Sequence, residues 1–479
     1  MPIHTHPVPA DIRQPRMRLE VREVGGVWRD AELAFATSID ETPHSHGGAE
    51  GWVALTADEP VECRLSVRDP IGVAVVRPSM REPVDVTIDG RSVTFTVASP
   101  RHLVVQLNYR PLHIDYRWSG AYTLYLFVEP PDPTLAEAWD NAAVRLAPGH
   151  HTADAFDQPE GATILVEPGV HTVEGERVLL KSRQTLHLAD GAYLRSHVHA
   201  IDADAVTLRG RGVLDGTGLA LRPGLWNDPG DQGFVFFERG TDHVIDGVTL
   251  FDSPYWNVVS FGTHGMRVRN FKCIGWRVNN DGLQPRSCSD YVAERCFLKC
   301  ADDCVAIKTR RAVADEARAL HFRQLICWND RPGNALEIGH SSQSDLLEDV
   351  VFEHVDVVHA DNSGNDATLS IHLVDGCVVR RVTYRDIRVE GKNDRPDLWF
   401  RIDTTRYTIG DLRGKIERVV VDGYHSERDV FSGTLHGHDD AHGIVGVTLS
   451  NVTAAGKPVT SWEPDLKFAR DVRFGHGVV

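Results

Sequence analysis

Through the second half of the chain one short phrase keeps returning, with apolar residues on alternate positions, a polar break and then another apolar pair. It reads VIDGVTL, MRVRNFKC, YVAERCF, LHFRQLIC, VVFEHVDV, VVRRVTYRDI and VGVTLSNV. With Val248, Phe271, Cys296, Leu325, Val355 and Ile387 as equivalent points, the steps are 23, 25, 29, 30 and 32 residues. Short strands at that period, with no helical pattern between them, predict a parallel β-helix. One coil of such a solenoid cannot bury its own inner face, so the core exists only where coils stack. The lengthening step predicts longer loops toward the C-terminal half, walling a cleft on one side. The competing readings are a second sandwich or a propeller; a propeller needs longer, more uniform blades with a recurring aromatic signature, which is absent.

Ahead of the repeat the pattern is different. Val84–Ile88 and Val93–Val97 alternate strictly on either side of Asp89-Gly90, the signal of a tight hairpin. Trp52–Leu55, Cys63–Val67, Val73–Val76, Leu103–Leu107 and Tyr122–Val128 are further strands, spaced as in an antiparallel sandwich. Pro130-Pro131-Asp132-Pro133 breaks the pattern, and a short helix is expected at Leu135–Val144. The expected fold class is therefore all-β: a β-sandwich over residues 1–130, a linker over 131–159, and a right-handed parallel β-helix over 160–479.

Charge and cysteine usage narrow the partners. A net charge of −17 argues against nucleic acid, which demands a basic face. No apolar run reaches membrane-spanning length, so no membrane partner is expected. The opening MPIHTHPVPADIRQPRM lacks the apolar core of a secretory signal. A cytoplasmic location is the expectation, or secretion if a leader has been removed. Of the eight cysteines, seven lie between Cys273 and Cys377, and none forms a C-x-x-C pair. They read as reduced core residues. The 23-residue separations of Cys273 from Cys296 and of Cys304 from Cys327 suit stacking on neighbouring coils. No metal and no cofactor are expected.

Within the repeat, the stretch NNDGLQPRSCSDYVAERCFLKCADDCVAIKT, from Asn279 to Thr309, places Asp281 one coil ahead of the pair Asp302–Asp303. Equivalent positions on neighbouring coils lie about 4.8 Å apart. Adjacent strand residues point to opposite faces, so Asp302 and Asp303 share a cleft only at a turn or bulge. Three acids this close cannot all ionise freely at neutral pH; one keeps its proton. A protonated carboxyl beside ionised ones is equipment for cleaving a glycosidic bond. A single aspartate would more simply cap a turn.

N-x-D-G followed by D-D-C-V-A-I-K resembles the active-site signature of the polygalacturonase family of parallel β-helix glycoside hydrolases, family 28. ICWNDRPGNALEIGH (326–340) and LEDVVFEHVDVVHADN (347–362) are similar to the related dextranase and isopullulanase family, family 49, which carries a β-sandwich ahead of its β-helix. The similarity spans about 205–390. It implies Asp302 as general acid, Asp281 and Asp303 as the holders of the water, and single displacement with inversion. That chemistry suits carboxyls roughly 6.5–9.5 Å apart.

Two positions depart from the polygalacturonase pattern. Its Gly-His-Gly corresponds to Gly333-Asn334-Ala335, with His340 a few residues on. Its Arg-Ile-Lys, which grips a uronate carboxylate, corresponds to Arg401-Ile402-Asp403. Both changes favour a neutral sugar over polygalacturonate. Asn280, Lys308, Asn334, Glu337, His340, Trp399 and Arg401 are the candidate substrate-binding residues. Trp256, Trp276 and Trp328, with Trp399, suit either a sugar face or the core, and His264 and His372 read as structural.

The expected activity is an inverting glycoside hydrolase cleaving α-glycosidic bonds of an oligo- or polysaccharide, dextranase/isopullulanase-like or polygalacturonase-like, and exo-acting if cytoplasmic. The alternatives are a polysaccharide lyase or fructotransferase, whose acids could hold calcium, and a non-catalytic carbohydrate-binding β-helix.

Overall fold

The computed structural model describes residues 3–37, 49–108, 121–220, 233–330, 332–361, 364, 366–391, 395–475 and 477–478. The N-terminal part holds two five-stranded sheets with a shared apolar core. One is antiparallel, in the order Arg29–Ala31, Met17–Glu23, Val61–Val67, Ser92–Val97, Val86–Asp89. The other runs Ala34–Phe35, Glu50–Thr56, Tyr122–Glu129, Arg101–Leu107, Ala74–Arg77, with a parallel pair, Glu50–Thr56 and Tyr122–Glu129, inside it. Period-2 burial is plain on Val61–Val67, where Val61, Cys63, Leu65 and Val67 all face the core. At the expected hairpin Asp89 pairs with Ser92, and Gly90 takes the left-handed backbone (φ 61°) that the two-residue turn requires.

The helix ends at Asn141, short of Val144. Val144–Leu146 and Gly149–His151, inside the stretch expected as linker, already pair in parallel with Thr163–Val166 and Gly169–Leu180. The solenoid thus starts at Val144, earlier than residue 160. These first rungs are three residues long and mostly solvent-facing, so they leave no apolar run to read.

From there to Val478 the strands join one sheet; apart from Lys457–Pro458 and Gly477–Val478, which pair antiparallel with the strand just before them, they pair in parallel with a counterpart on a neighbouring coil. Thr249 faces Lys272, Lys272 faces Phe297, Phe297 faces Ile326, Ile326 faces Asp356, and Val355 faces Ile387. The six residues taken as equivalent therefore do stack, and all are fully buried. The next step, Ile387 to Tyr424, widens to 37 residues before the following one shortens to 28 at Val452. The cysteine spacing misleads: Cys273 faces Leu298, which faces Cys327, because these coils are 25 and 29 residues long rather than 23. Cys273 Sγ instead lies 3.7 Å from Cys300 Sγ, and all eight thiols are free and buried.

Just ahead of each stacked core residue the chain turns a corner through one residue with positive φ. Gly247, Asn270, Arg295, Gln324, His354, Asp386 and Asn451 take φ between 47° and 87°. Asn and Asp tolerate this region, whereas Arg, Gln and His pay a local cost that the ladder on either side over-determines.

The sandwich seats on one flank of the solenoid. Trp52, Val104, Tyr125 and Phe127 form an apolar cluster with Tyr193, Phe251, Ile274 and Phe297. Buried ion pairs cross the same seam: Lys272 Nζ lies 2.6 Å from Glu129, and Arg77 2.6 Å from Glu390. No described residue of the sandwich lines the cavity over Asp281 and Asp302–Asp303.

Candidate active site

The cleft lies over the sheet of Val258–Phe261, Leu283–Arg286, Val305–Thr309, Leu336–Ser342, Leu369–Leu373 and Leu398–Ile402. Leu283 pairs with Val305, and the backbone of Gly282 donates to Asp303 O (2.9 Å) while Cys304 donates to Asn334 O (3.0 Å). Asp281, Asp303 and Asn334 thus follow one another on successive coils, at the entry to each strand. Asp302 and Asp303 occupy a bend ahead of the strand, which lets both reach the cleft as required. Gly333, on the coil above, crosses this bend so closely that a Cβ there would lie 2.4 Å from the Asp302 carbonyl carbon. Only glycine lets the coil pass over the acid pair.

Each acid is held differently. Gln284 Nε2 donates to Asp281 Oδ2 (2.5 Å). Asn334 donates twice to Asp303 Oδ1, from its backbone (2.7 Å) and its side chain (3.1 Å). Among the described residues the Asp302 carboxylate accepts only the Asp303 backbone N–H (3.0 Å), while its carbonyl accepts from Asn329 (2.6 Å). Burial pushes Asp281 up to about 7, with the Asp303 charge adding and Lys308 and Arg286 opposing. Asp302 is raised well above the carboxylate range, by burial and then by Asp281 and Asp303. Asp303 is raised by burial, but Lys308 and the two Asn334 hydrogen bonds hold it back. The donors thus favour charge on Asp281 and Asp303 and leave the proton on Asp302.

A cavity of about 530 Å³ opens above these acids, lined by Trp256, Asn279, Lys308, Asn334, Glu337, His340, Asp366, His372, Arg401 and Arg406 among others. Trp256 forms one wall, with the Arg286 guanidinium stacked 4.2 Å from its ring. Glu337 faces the cleft, is 2% exposed, and is pushed up to about 8 by burial and by Asp303, against a hydrogen bond from Ser370 one coil on. His340 packs against Tyr407 with the ring centroids 4.7 Å apart and the planes tilted by 38°. Burial, with Lys308, His372 and Arg401, holds this imidazole far below its usual range and therefore neutral. Thr405, Arg406 and Tyr407 come from the long connection after Ile402, on the widest coil, where lengthening loops were expected to wall the cleft.

Several sequence expectations need correction. Asn280 lies beneath the cleft floor, fully buried, donating to Ser253 O and Tyr255 O and accepting from Asn257, so its amide is spent on the turn. Trp399 does not line the cavity; it backs Arg401, whose guanidinium sits 3.8 Å from the ring, and faces a neighbouring groove. Trp276 and Trp328 pack in the seam with the sandwich. His372, read as structural, lines the cleft and hydrogen-bonds Asp403 (2.7 Å). Asp403 itself points to the neighbouring groove. Although burial opposes it, the His372 hydrogen bond keeps Asp403 below the ordinary carboxylate range.

Sequence reasoning also missed Gln284, Arg286, Asp366 and the Thr405–Tyr407 segment. Gln284 and Arg286 lie on the outward face of the strand that buries the core residue Leu283, but counted from Asp281 both fall on the opposite parity, which hid them; the last segment carries no pattern. Among the described residues, two groups could hold a metal ion: Glu337–His340–His372 and Asp330–His359–Asp361.

Comparison with known proteins bears on the family and the fold. The family model described as "Glycosyl hydrolases family 28" matches residues 151–396. A "Probable polygalacturonase" of Vitis vinifera is 27% identical over 179 residues, 33% of this chain and 34% of that protein. A polygalacturonase of Chamaecyparis obtusa is 22% identical over 269 residues, 53% and 51% of the two chains. The chain thus spans between a third and about half of these relatives' lengths. Among solved structures, Dex49A from Penicillium minioluteum superposes with TM-score 0.69 at 14% identity, over 98% of this chain and 96% of that one. The hyperthermoactive exopolygalacturonase from Thermotoga maritima gives 0.50 at 16% identity, over 72% and 96%. These likenesses extend to the fold, sandwich included in the first case.

Proposed function

This chain belongs to the family 28 glycosyl hydrolases, and from that premise we propose that it hydrolyses an α-glycosidic bond with inversion, with Asp302 as the general acid. The observation that carries the reading is the unequal support of three buried carboxyls on adjacent coils. Asp281 and Asp303 accept side-chain donors that stabilise charge, and Asp302 accepts none from the described residues. In a single displacement Asp302 gives its proton to the leaving glycosidic oxygen. A water held between Asp281 and Asp303 loses a proton to that pair and adds to the anomeric carbon from the opposite face. No covalent intermediate is needed.

The substrate we propose is an acidic, uronate-bearing glycan rather than the neutral sugar expected from the sequence. That expectation rested on two departures, Gly333-Asn334-Ala335 and an Asp403 facing the sugar, and only the second bears on the charge of the cleft. With Asp403 turned to His372 and the next groove, the cations lining the cavity are Lys308, Arg401 and Arg406. They can meet a carboxylate next to the reacting ring. The Arg401 fork, fixed against Trp399, is the best oriented of the three.

The test is anomer-resolved NMR during turnover of a panel of oligogalacturonides, isomalto-oligosaccharides and fructans. Initial release of the β-anomer from an α-linked uronide is expected. Initial α-anomer release would overturn inversion, and exclusive turnover of neutral glucans would overturn the uronide assignment. Unsaturated, ultraviolet-absorbing products would instead establish a lyase. The time course also separates exo from endo action, an early ladder of intermediate lengths marking the latter.

A further inference from the structure

We propose that Glu337, His340 and His372 form a binding site for a borderline divalent transition-metal ion, Zn²⁺ being the probe of choice, on the wall of the cleft beside the catalytic acids. One ligand atom from each residue lies within 4.8 Å of the others. A tetrahedral ion with bonds near 2.0–2.1 Å needs donors only about 3.4 Å apart.

Three observations separate this group from a chance cluster. Glu337 Oε2 is buried and has no hydrogen-bond partner within the distance and angle limits of a hydrogen bond among the described residues, although the residue is only 2% exposed. A buried carboxylate oxygen left unpaired is costly, and a cation would satisfy it. His372 Nε2 lies 2.7 Å from Asp403 Oδ1. A carboxylate on the far nitrogen of a metal-binding imidazole fixes the tautomer and the ring, and leaves the other nitrogen's lone pair free for a metal. All three residues line the same cavity, so an ion has a route in and its remaining coordination positions face solvent and sugar.

Two imidazoles and one carboxylate favour zinc or a neighbouring first-row metal over calcium or magnesium, which prefer oxygen. Lys308 and Arg401 share the cavity and oppose a dication; Asp303, Asp366 and Asp403 offset them. The other candidate group is poorer. Asp330 already accepts from Lys299 (3.0 Å) and Trp328 (2.9 Å), and His359 is stacked on Trp328. Sequence spacing gave no metal pattern because the donors come from two coils, 32 residues apart from His340 to His372.

The site is testable without turnover, so it stands or falls apart from the glycosidase reading. Chelator-stripped full-length protein is titrated with Zn²⁺ and the retained metal measured by mass spectrometry; Co²⁺ loading is followed by its visible absorption. One tightly retained equivalent and a tetrahedral Co²⁺ spectrum are expected. His372→Ala should abolish both, and Glu337→Gln and Asp403→Asn should weaken binding about 10- to 100-fold. The latter two keep shape and carry the test if His372→Ala does not fold. Absence of retained metal overturns the proposal, as does equal retention by wild type and all three variants.

Discussion

The two flanks of the solenoid treat buried charge in opposite ways. On the flank under the sandwich, each buried charge just described meets its opposite: Lys272 with Glu129, Arg77 with Glu390, Lys299 with Asp330. On the cleft flank, Asp281, Asp302, Asp303 and Glu337 crowd adjacent coils, and burial raises all four. A seam under only structural selection neutralises its charges. A site that must keep one proton and place another charge cannot, and the fold supports the resulting cost. The stacking of coils makes both arrangements possible, since it repeats a position at fixed spacing and leaves the side chains to decide.

The contrast can be broken most sharply at the acid. Asp302→Asn should lower kcat at least 1,000-fold, within the usual range for a positioned proton donor, while circular dichroism and melting stay near wild type. A near-normal rate would remove Asp302 from the mechanism. In the seam, Glu129→Ala leaves Lys272 buried and unpaired, since Lys272 is fully buried against it. A loss of about 3–5 kcal/mol is expected in denaturant titration. Glu129→Leu with Lys272→Met should recover most of it.

A smaller effect runs the other way in the cleft. Asp281 has a folded pKa of about 7, above the unfolded carboxylate, so the native state binds the extra proton between those values. Stability therefore falls as pH rises through that window. Asp281→Asn removes this cost and should be the more stable protein at pH 8, by on the order of a few kcal/mol, while losing activity. Equal melting of the two proteins at pH 8 would contradict the charge imbalance. The smallest change concerns Gln284, whose hydrogen bond favours ionised Asp281. Gln284→Leu should raise the pKa of Asp281 and move the acidic limb of kcat/KM upward by about one pH unit. An unmoved or lowered limb would detach Asp281 from that limb.

Much of this was legible in the residues. The six stacked positions from Val248 to Ile387 were found by counting, because a solenoid converts sequence period directly into vertical neighbours. The same arithmetic put Asp281 opposite the Asp302–Asp303 pair. It failed for Cys273 and Cys296, where a constant 23-residue step was assumed on coils of 25 and 29. It failed again at Val144–His151, where the strands are too short to alternate visibly. Trp276 and Trp328 were open between sugar and core because nothing in their local sequence says that a sandwich will cover them.

The sequence by itself determined the coil, its lengths and the three acids, since backbone pairing and apolar periodicity are local and repetitive. Only the tertiary structure decided which flank the sandwich would cover and which would remain open. It alone set Asp403 against His372 rather than against the sugar, and it alone gathered Glu337, His340 and His372. Those outcomes depend on side-chain direction at corners and bends, where the period that makes a solenoid readable does not hold.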